Sequence, residues 1–444
     1  MDEERAAAGI YEAGRPQETE SIKMEINPSK RLNAIIRVPG SKSYTQRALI
    51  IASLANGQSL LQNPLIAEDT GYVIEALRSL GADITTREKD MVIRGTGGHL
   101  TNPGREIYLG NNGTAMRLLT GMVALGTGAF TLTGTPRLCQ RPIKPLLDAL
   151  VSLGVDARSL GNNGYPPIIV HAHGLRGGRV TLADIESSQY ISALLICTPF
   201  AQNETVLELQ GKVPSLPYVD MTIEVMKAFG VEAIKESPLR YAVKSGQRYH
   251  GGRYCIEGDC SSASYFFLAA ALCKGRVKVQ DINPRTLQGD IQFLPLLERL
   301  GCTIVRGADW VEVVGGALPS GEYTFDLGAM PDLVPTLAVL AAMRPGRTII
   351  SNVPHLRAKE SNRLAALAAE LKKMGVRAEE KSDGLVIDGT TPHGAVIETY
   401  SDHRIAMSFA VLGLAVPGIR IQDKACVGKS FPGFWTELEK LDGR

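Results

Sequence analysis

The chain has 444 residues, of which 44% are hydrophobic and 21% charged, and its formal net charge is +2; that length exceeds one ordinary core and calls for at least two domains. A charge this balanced, with no dense Lys/Arg block, argues against a nucleic-acid partner and against a membrane surface, and no apolar run is long enough to span a bilayer. Seven cysteines without a C-x-x-C pair (Cys139, Cys197, Cys255, Cys260, Cys273, Cys302 and Cys426) argue against a disulfide framework and for a reducing, cytoplasmic setting.

Residues 1–23 carry acidic groups, Ala and Gly but no apolar h-region, so they read as neither a secretory signal nor a transit peptide. They predict a disordered N-terminal extension, and Met24 opens the first folded segment as a candidate natural start. From there on, two kinds of helix alternate. One kind starts on a polar signature and runs into a strongly apolar stretch: GSKSYTQRALIIASLA, GNNGTAMRLLTGMVALG, ESSQYISALLICTPFA, GDCSSASYFFLAAALC, MPDLVPTLAVLAAM and SDHRIAMSFAVLGLA. The other kind ends on a large apolar residue followed by glycine: EALRSLGADI, DALVSLGVDA, EVMKAFGVEA, LERLGCTI and ELKKMGVRAE. Gly81, Gly154, Gly230, Gly301 and Gly375 mark these ends at a near-constant interval, and FWTELEKL closes the chain at nearly the same spacing. Glycine suits the place because a helix commonly ends with a residue in the left-handed region, which glycine enters without strain. After each glycine comes the alternation of a β-hairpin, as in ADITTREKDMVIRG and CTIVRGADWVEVVG.

This pattern predicts an α/β protein of six helix/mixed-sheet repeats, packed three and three into two similar globular domains with the site in the cleft between them. Ser, Asp, Asn and Gly in the six signatures are the residues that cap helices. A helix N-terminus also presents free N–H donors and about half a positive charge, which suits an anion. GDCSSASY carries no cation and reads as a cap alone, whereas GSKSYTQR brings Lys42 and Arg47 and GNNGTAMR brings Arg117. Cation-loaded helix ends from several repeats read as a phosphate pocket.

Nine motifs carry a resemblance: PGSKSYTQRAL, LGNNGTAMR, RPIKPLLDAL, SSQYISALL, PYVDMT, MPDLVPTLAVLA, LRAKESNRL, SDHRIAM and GKSFPGFW, spread in order over residues 39 to 435. Together they resemble the 5-enolpyruvylshikimate-3-phosphate synthases. The resemblance implies an inside-out α/β barrel type of fold whose domains are joined by two crossings, near Pro39 and Gly258. Residues 24–39 and 258–444 would form one domain and residues 40–257 the other. It implies transfer of the enolpyruvyl group of phosphoenolpyruvate to the 5-hydroxyl of shikimate 3-phosphate, by a monomer that needs neither metal nor cofactor.

Residue roles follow as implications of the same resemblance. Lys42, Asp332 and Glu360 would be catalytic, with Asp332 taking the hydroxyl proton and Glu360 and Lys42 serving C3 of phosphoenolpyruvate. Lys42, Asn111, Gly113, Arg141, Gln189, Arg363, Arg404 and Lys429 would hold phosphoenolpyruvate, arginine being suited to oxyanions by its fork of donors. Lys42, Ser43, Arg47, Ser187, Ser188, Gln189, Ser215, Tyr218, Asp332, His355 and Lys359 would hold shikimate 3-phosphate. His355 stands where the family often has Asn, Asn112 where it has a small residue, and Asn362 where Asp is common. Gly113 implies ordinary susceptibility to inhibitors of the phosphoenolpyruvate site such as glyphosate.

Other signals are weaker. His171 and His173 form an H-x-H pair without a nearby carboxylate or thiol in a ligand pattern, and read as strand surface. Gly428, Lys429 and Ser430 lack the preceding glycine of a Walker motif, since Asp423 stands there. UDP-N-acetylglucosamine enolpyruvyl transferase, with the same donor, is the nearest competing function. An RNA-end cyclase of related repeats would need an adenylylation histidine and a basic surface. A non-catalytic anion-binding repeat protein would keep the caps without needing both Asp332 and Glu360.

Overall fold

The computed structural model describes residues 23–29 and 32–442, so all of the expected N-terminal extension except Lys23 lies outside the described residues. Each polar signature opens a helix of the apolar kind: α1 (Lys42–Leu54), α2 (Gly113–Val123), α3 (Gln189–Cys197), α4 (Cys260–Leu272), α5 (Val334–Met343) and α6 (His403–Gly413). Every residue of α4 is buried, as is every residue of α5 except Met343. A helix that is apolar all round has no face to offer water, so these six lie inside and the more amphipathic second helix of each repeat lies outside.

The second helices end as the glycines require. Gly81, Gly154, Gly230, Gly301 and Gly375 all sit at φ between +78° and +104°, where a Cβ would be strained. Each is followed by an antiparallel hairpin, from Asp83–Arg87 with Asp90–Arg94 to Arg377–Lys381 with Gly384–Gly389. In each of these five repeats the hairpin pairs antiparallel to the strand leading out of the apolar helix, and that strand takes one parallel neighbour on its other side. The sixth repeat has no such hairpin; its short sheet joins Val396–Ile397, Arg420–Ile421 and Met24–Glu25.

Two of the parallel neighbours are exchanged. Asn33–Arg37, which leads into α1, pairs with Arg276–Gln280, which leads out of α4. Arg253–Cys255, which leads into α4, pairs with Gln58–Gln62, which leads out of α1. The chain therefore crosses twice, and the crossings lie side by side: Gly40 bridges Gly258, the Ser41 amide donates to Glu257 O at 2.7 Å, and the Asp259 amide donates to Pro39 O at 2.9 Å. The apolar interior follows the same division. One continuous core runs from Tyr44 to Ile256, and a second joins Ile26 to Val38 with Cys260 to Leu441.

Candidate active site

The N-termini of the apolar helices converge on the cleft between the two cores. Side chains cap three of them: Asn112 accepts from the Ala115 amide, Asp259 from Ser262 and Asp402 from Arg404, whereas Leu333 ahead of α5 has no capping side chain; Asn362 caps the second helix Arg363–Lys373 by accepting from Ala365. At α1 and α3 the Ser41 and Ser188 side chains make no cap hydrogen bond; the first amide of α1 donates to Asp259 Oδ2 at 3.0 Å and that of α3 to Ser187 Oγ at 3.3 Å. Those two ends line a small cavity of about 50 Å³ with Lys42, Ser43, Ser187, Ser188 and Gln189, faced from the second core by Asp332, His355, Lys359 and Glu360. Ser215, Tyr218 and Arg141 complete the expected residues on its wall. Larger recesses exist, about 740 Å³ beside the chain crossings and about 940 Å³ at the cleft mouth, but neither gathers these charges.

Behind the wall the charges are paired to one another. Arg363 is the hub: it donates to Asp332 Oδ1 at 2.8 Å, to Glu360 Oε2 at 2.7 Å and to Asp402 Oδ2 at 2.8 Å. Arg404 takes the other Asp332 oxygen at 2.8 Å and also donates to the Tyr265 hydroxyl. Lys42 donates to Asp69 Oδ2 at 2.9 Å, and Lys429 donates to the other Asp69 oxygen and to Asn111 O. Arg141 donates to Asn111 O at 3.2 Å, with Glu360 Oε1 at 3.8 Å.

These pairings set the protonation states. Burial alone would raise the carboxyl of Asp332, but Arg404, Lys359 and Arg363 outweigh it and hold the group well below the usual carboxylate range. Glu360 is likewise ionised, burial being overcome by Arg363, Arg141 and Lys42. Burial works to neutralise Lys42, yet Asp69 and Glu360 prevail and raise it, so it stays charged. Lys359 is pushed down to about 8 by burial, against Asp332 and Glu360. His355 falls to about 3 through burial, then Lys359, and its buried Nε2 has no partner. It is a neutral imidazole.

The sequence model of the family described as EPSP synthase (3-phosphoshikimate 1-carboxyvinyltransferase) matches residues 26–438. The chain belongs to the EPSP synthase family. A 3-phosphoshikimate 1-carboxyvinyltransferase of Syntrophobacter fumaroxidans is 44% identical over 425 residues, covering 95% of this chain and 100% of that one. One from a Nostoc species is 41% identical over 415 residues, covering 93% and 97%. Among solved structures, an EPSP synthase from Acinetobacter baumannii superposes with a TM-score of 0.78 at 27% identity, covering 94% of this chain and 98% of that one. The two-domain, six-repeat α/β fold is thus that of the EPSP synthases.

Within this family member, the expected residues fall into two layers. Those named above line the cavity, whereas Arg47, Asn111, Gly113, Arg363, Arg404 and Lys429 stand one layer back. Arg47 is buried, its donors taken by Thr222 Oγ1, Ser43 O and Ser192 Oγ. Gln189 holds Thr114 Oγ1 and accepts from Arg117. The two Asn departures are both helix caps, and Asn112 also donates to Asp69 O at 2.8 Å. His171 faces Asp156 at 3.9 Å across paired strands at the surface, with His173 just beyond the strand.

Sequence reasoning passed over Asp69, Asp402 and Asp290. Asp402 lay in the open inside SDHR, while Asp69 looked like an ordinary first-turn acid of Glu68–Ser79. Asp290 accepts a short hydrogen bond from the Ser261 hydroxyl, and its buried Oδ1 has no partner. Burial and then the Asp332 carboxylate push it up to about 7; Arg404 and the Ser261 bond pull the other way, and Asp259 adds to the rise. The folded chain therefore holds a proton that the unfolded chain releases near pH 3.9. Folded stability is lost as pH rises from about 4 to about 7. Asp290→Asn is expected to raise the melting temperature at pH 8 and to leave it nearly unchanged at pH 4. Equal shifts at both pH values, measured by calorimetry, would reject this.

Proposed function

We propose that this chain transfers the enolpyruvyl group of phosphoenolpyruvate to the 5-hydroxyl of shikimate 3-phosphate, the carboxyvinyl transfer of chorismate biosynthesis. The observation that carries the reading is the convergence of Lys42, Asp332, Lys359 and Glu360 on one cavity lined by the N-terminal ends of α1 and α3. The hydroxyl oxygen attacks C2 while C3 gains a proton. The tetrahedral adduct then breaks its C2–O bond to phosphate and C3 returns a proton, so the protein must move protons both ways. Asp332 is positioned to take the hydroxyl proton. Lys42 carries a proton at rest and Glu360 does not, so Glu360 must acquire one before it can serve C3.

Arginine exchange supplies the trigger. A 50 Å³ cavity has room for a few waters, and Arg363 and Arg404 lie folded onto carboxylates. Substrate anions compete for those guanidinium groups, and each arginine that turns to substrate leaves Asp332 or Glu360 less stabilised as an anion and more basic. Ser187, Ser188, Gln189, Ser215, Tyr218, His355 and Lys359 hold shikimate 3-phosphate, with Arg47 steadying Ser43 and Tyr218 from behind. Arg141, Lys429, Asn111 and Gly113 join Arg363 and Arg404 around phosphoenolpyruvate.

Gly113 leaves room for the Arg141 guanidinium, since a Cβ there would lie 2.5 Å from Arg141 Cζ and Nη2 and would push that side chain aside. Gly113→Ala should displace Arg141 and raise the KM for phosphoenolpyruvate about tenfold or more, given about 1.5–3 kcal/mol for a charged hydrogen bond. An unchanged KM would show that Arg141 does not need the space. The same close approach supports ordinary sensitivity to glyphosate, read by an inhibition assay in which resistance counts against it.

Domain division, setting and assembly belong to the same reading. Residues 24–39 with 258–444 form one domain and 40–257 the other, supported by the two apolar cores. Free thiols at all seven cysteines suit a reducing cytoplasm, and the site draws every expected residue from one chain, which suits a monomer acting on small molecules. The deciding experiment is phosphate release from phosphoenolpyruvate with shikimate 3-phosphate, beside UDP-N-acetylglucosamine and a no-acceptor control. Release with the nucleotide sugar alone would move the acceptor, and release with neither would leave an anion-binding protein.

A further inference from the structure

The Glu360 and Lys359 side chains follow a short segment of backbone that its own core holds by the buried Leu356 and by Arg357, which donates to Lys381 O at 2.6 Å. Pro354–Ala358 is a short 3-10 helix, and Lys359 follows it in an extended conformation. Carbonyls at such an end are unsatisfied acceptors and carry partial negative charge. Their donor comes from the opposite core. Arg137, just before the turn Leu138–Gln140, donates Nε to Lys359 O at 3.0 Å and Nη2 to Arg357 O at 2.8 Å, while Nη1 reaches Gln140 Oε1 at 3.4 Å. Asn111 adds a longer contact to the next carbonyl, Glu360 O at 3.5 Å.

We propose that Arg137 is a positioning residue, a cap supplied from across the cleft that fixes the backbone carrying Lys359 and Glu360 at the reacting atoms. It does not itself line the cavity, and it acts on the carbonyls of Arg357 and Lys359 with the edge of its fork. The geometry has two consequences. The segment from His355 to Glu360 gains this second hold only while the two cores are together, and the hold needs two donors in a fixed relation, which an ammonium does not supply. Burial lowers the Arg137 pKa, only partly opposed by the Glu360 and Asp402 carboxylates; the guanidinium is partly withdrawn from water, which lessens solvent competition for its hydrogen bonds.

This inference rests on the proposed roles of Lys359 and Glu360, and its test separates the two. In the full chain, Arg137→Ala should speed amide hydrogen exchange at residues 356–361 and leave the helices of both cores unchanged; that arm reads positioning whatever the reaction is. With phosphoenolpyruvate and shikimate 3-phosphate, kcat should fall roughly a hundredfold, the loss expected of a misplacement of about 1 Å, while the KM for shikimate 3-phosphate moves less than about threefold. Arg137→Lys, which keeps the charge and loses the fork, should recover less than a tenth of the wild-type kcat. Unchanged exchange at 356–361 in Arg137→Ala would overturn the proposal, and so would full recovery by lysine, which would assign the effect to charge alone. Should the alanine variant be too unstable to measure, Arg137→Gln carries the same exchange and turnover readouts.

Discussion

Asp332→Asn is expected to lower turnover about a thousandfold, within the range of a positioned general acid or base, without raising the KM for phosphoenolpyruvate. Both carboxylate oxygens of Asp332 are held, one by Arg363 and one by Arg404. The amide keeps the shape but has one acceptor and no charge, so the proton acceptor is lost and the two arginines are freed for a substrate anion. Turnover and affinity therefore move apart: kcat collapses while phosphoenolpyruvate binds as well or better. A variant with turnover within about tenfold of wild type would remove Asp332 from proton transfer, and a raised KM at preserved kcat would make it a binding group only. A melting curve beside the kinetics controls for the amide N–H₂ now facing a guanidinium.

The largest effect on stability is expected at Asp69. Its two oxygens receive Lys42 and Lys429, and the three side chains are 2%, 14% and 5% exposed respectively. Asp69→Ala leaves two buried ammonium groups without their shared carboxylate, and breaking a buried pair from one side costs about 3–5 kcal/mol. The pH dependence fixes the cause. Burial alone would raise the Asp69 pKa, but Lys42 and Lys429 hold it below its ordinary value, so its contribution is present above about pH 3.9 and disappears as pH falls through the folded value. Lys42 is raised, so its share persists up to the unfolded value of about 10.4 and is lost only above. The difference between wild type and Asp69→Ala in urea unfolding should therefore be flat through neutral pH and shrink in acid. A difference below about 1 kcal/mol at pH 7 would mean that water, rather than Asp69, satisfies the two lysines.

Much of the fold was legible because it is local. A glycine at positive φ, a period-two hairpin and an all-apolar helix each announce themselves within a dozen residues, and five repeats show all three. The exchanged strands were not legible from pattern, since nothing in NAIIR or RYC says which strand it will join; the resemblance, not the periodicity, carried the crossing. The site divides in the same way. Apart from Asp402, the site residues inside polar signatures were found, because a helix end advertises its donors. Asp69 and Arg137 were missed because their meaning lies in partners far along the chain. Asp259 is instructive: GDCSSASY read as a cap, and Asp259 does hold the Ser262 amide, but its other oxygen takes the Lys42 amide at 3.0 Å, binding the first turns of α1 and α4 together.

The exchanged strands also bear on how the chain is made. As it leaves the ribosome, residues 40–257 can complete all three of their sheets once Arg253–Cys255 has emerged to lie beside Gln58–Gln62. Asn33–Arg37 has no such early partner; it waits, with Ile35 and Ile36 uncovered, until Arg276–Gln280 is synthesised, and Met24–Glu25 waits for Arg420–Ile421. Met24–Glu25 is thus among the last strands to be enclosed, and a chain arrested between Cys255 and Arg276 would present a finished first half tethered to the unpaired edge of Asn33–Arg37, a natural handle for chaperones and proteases.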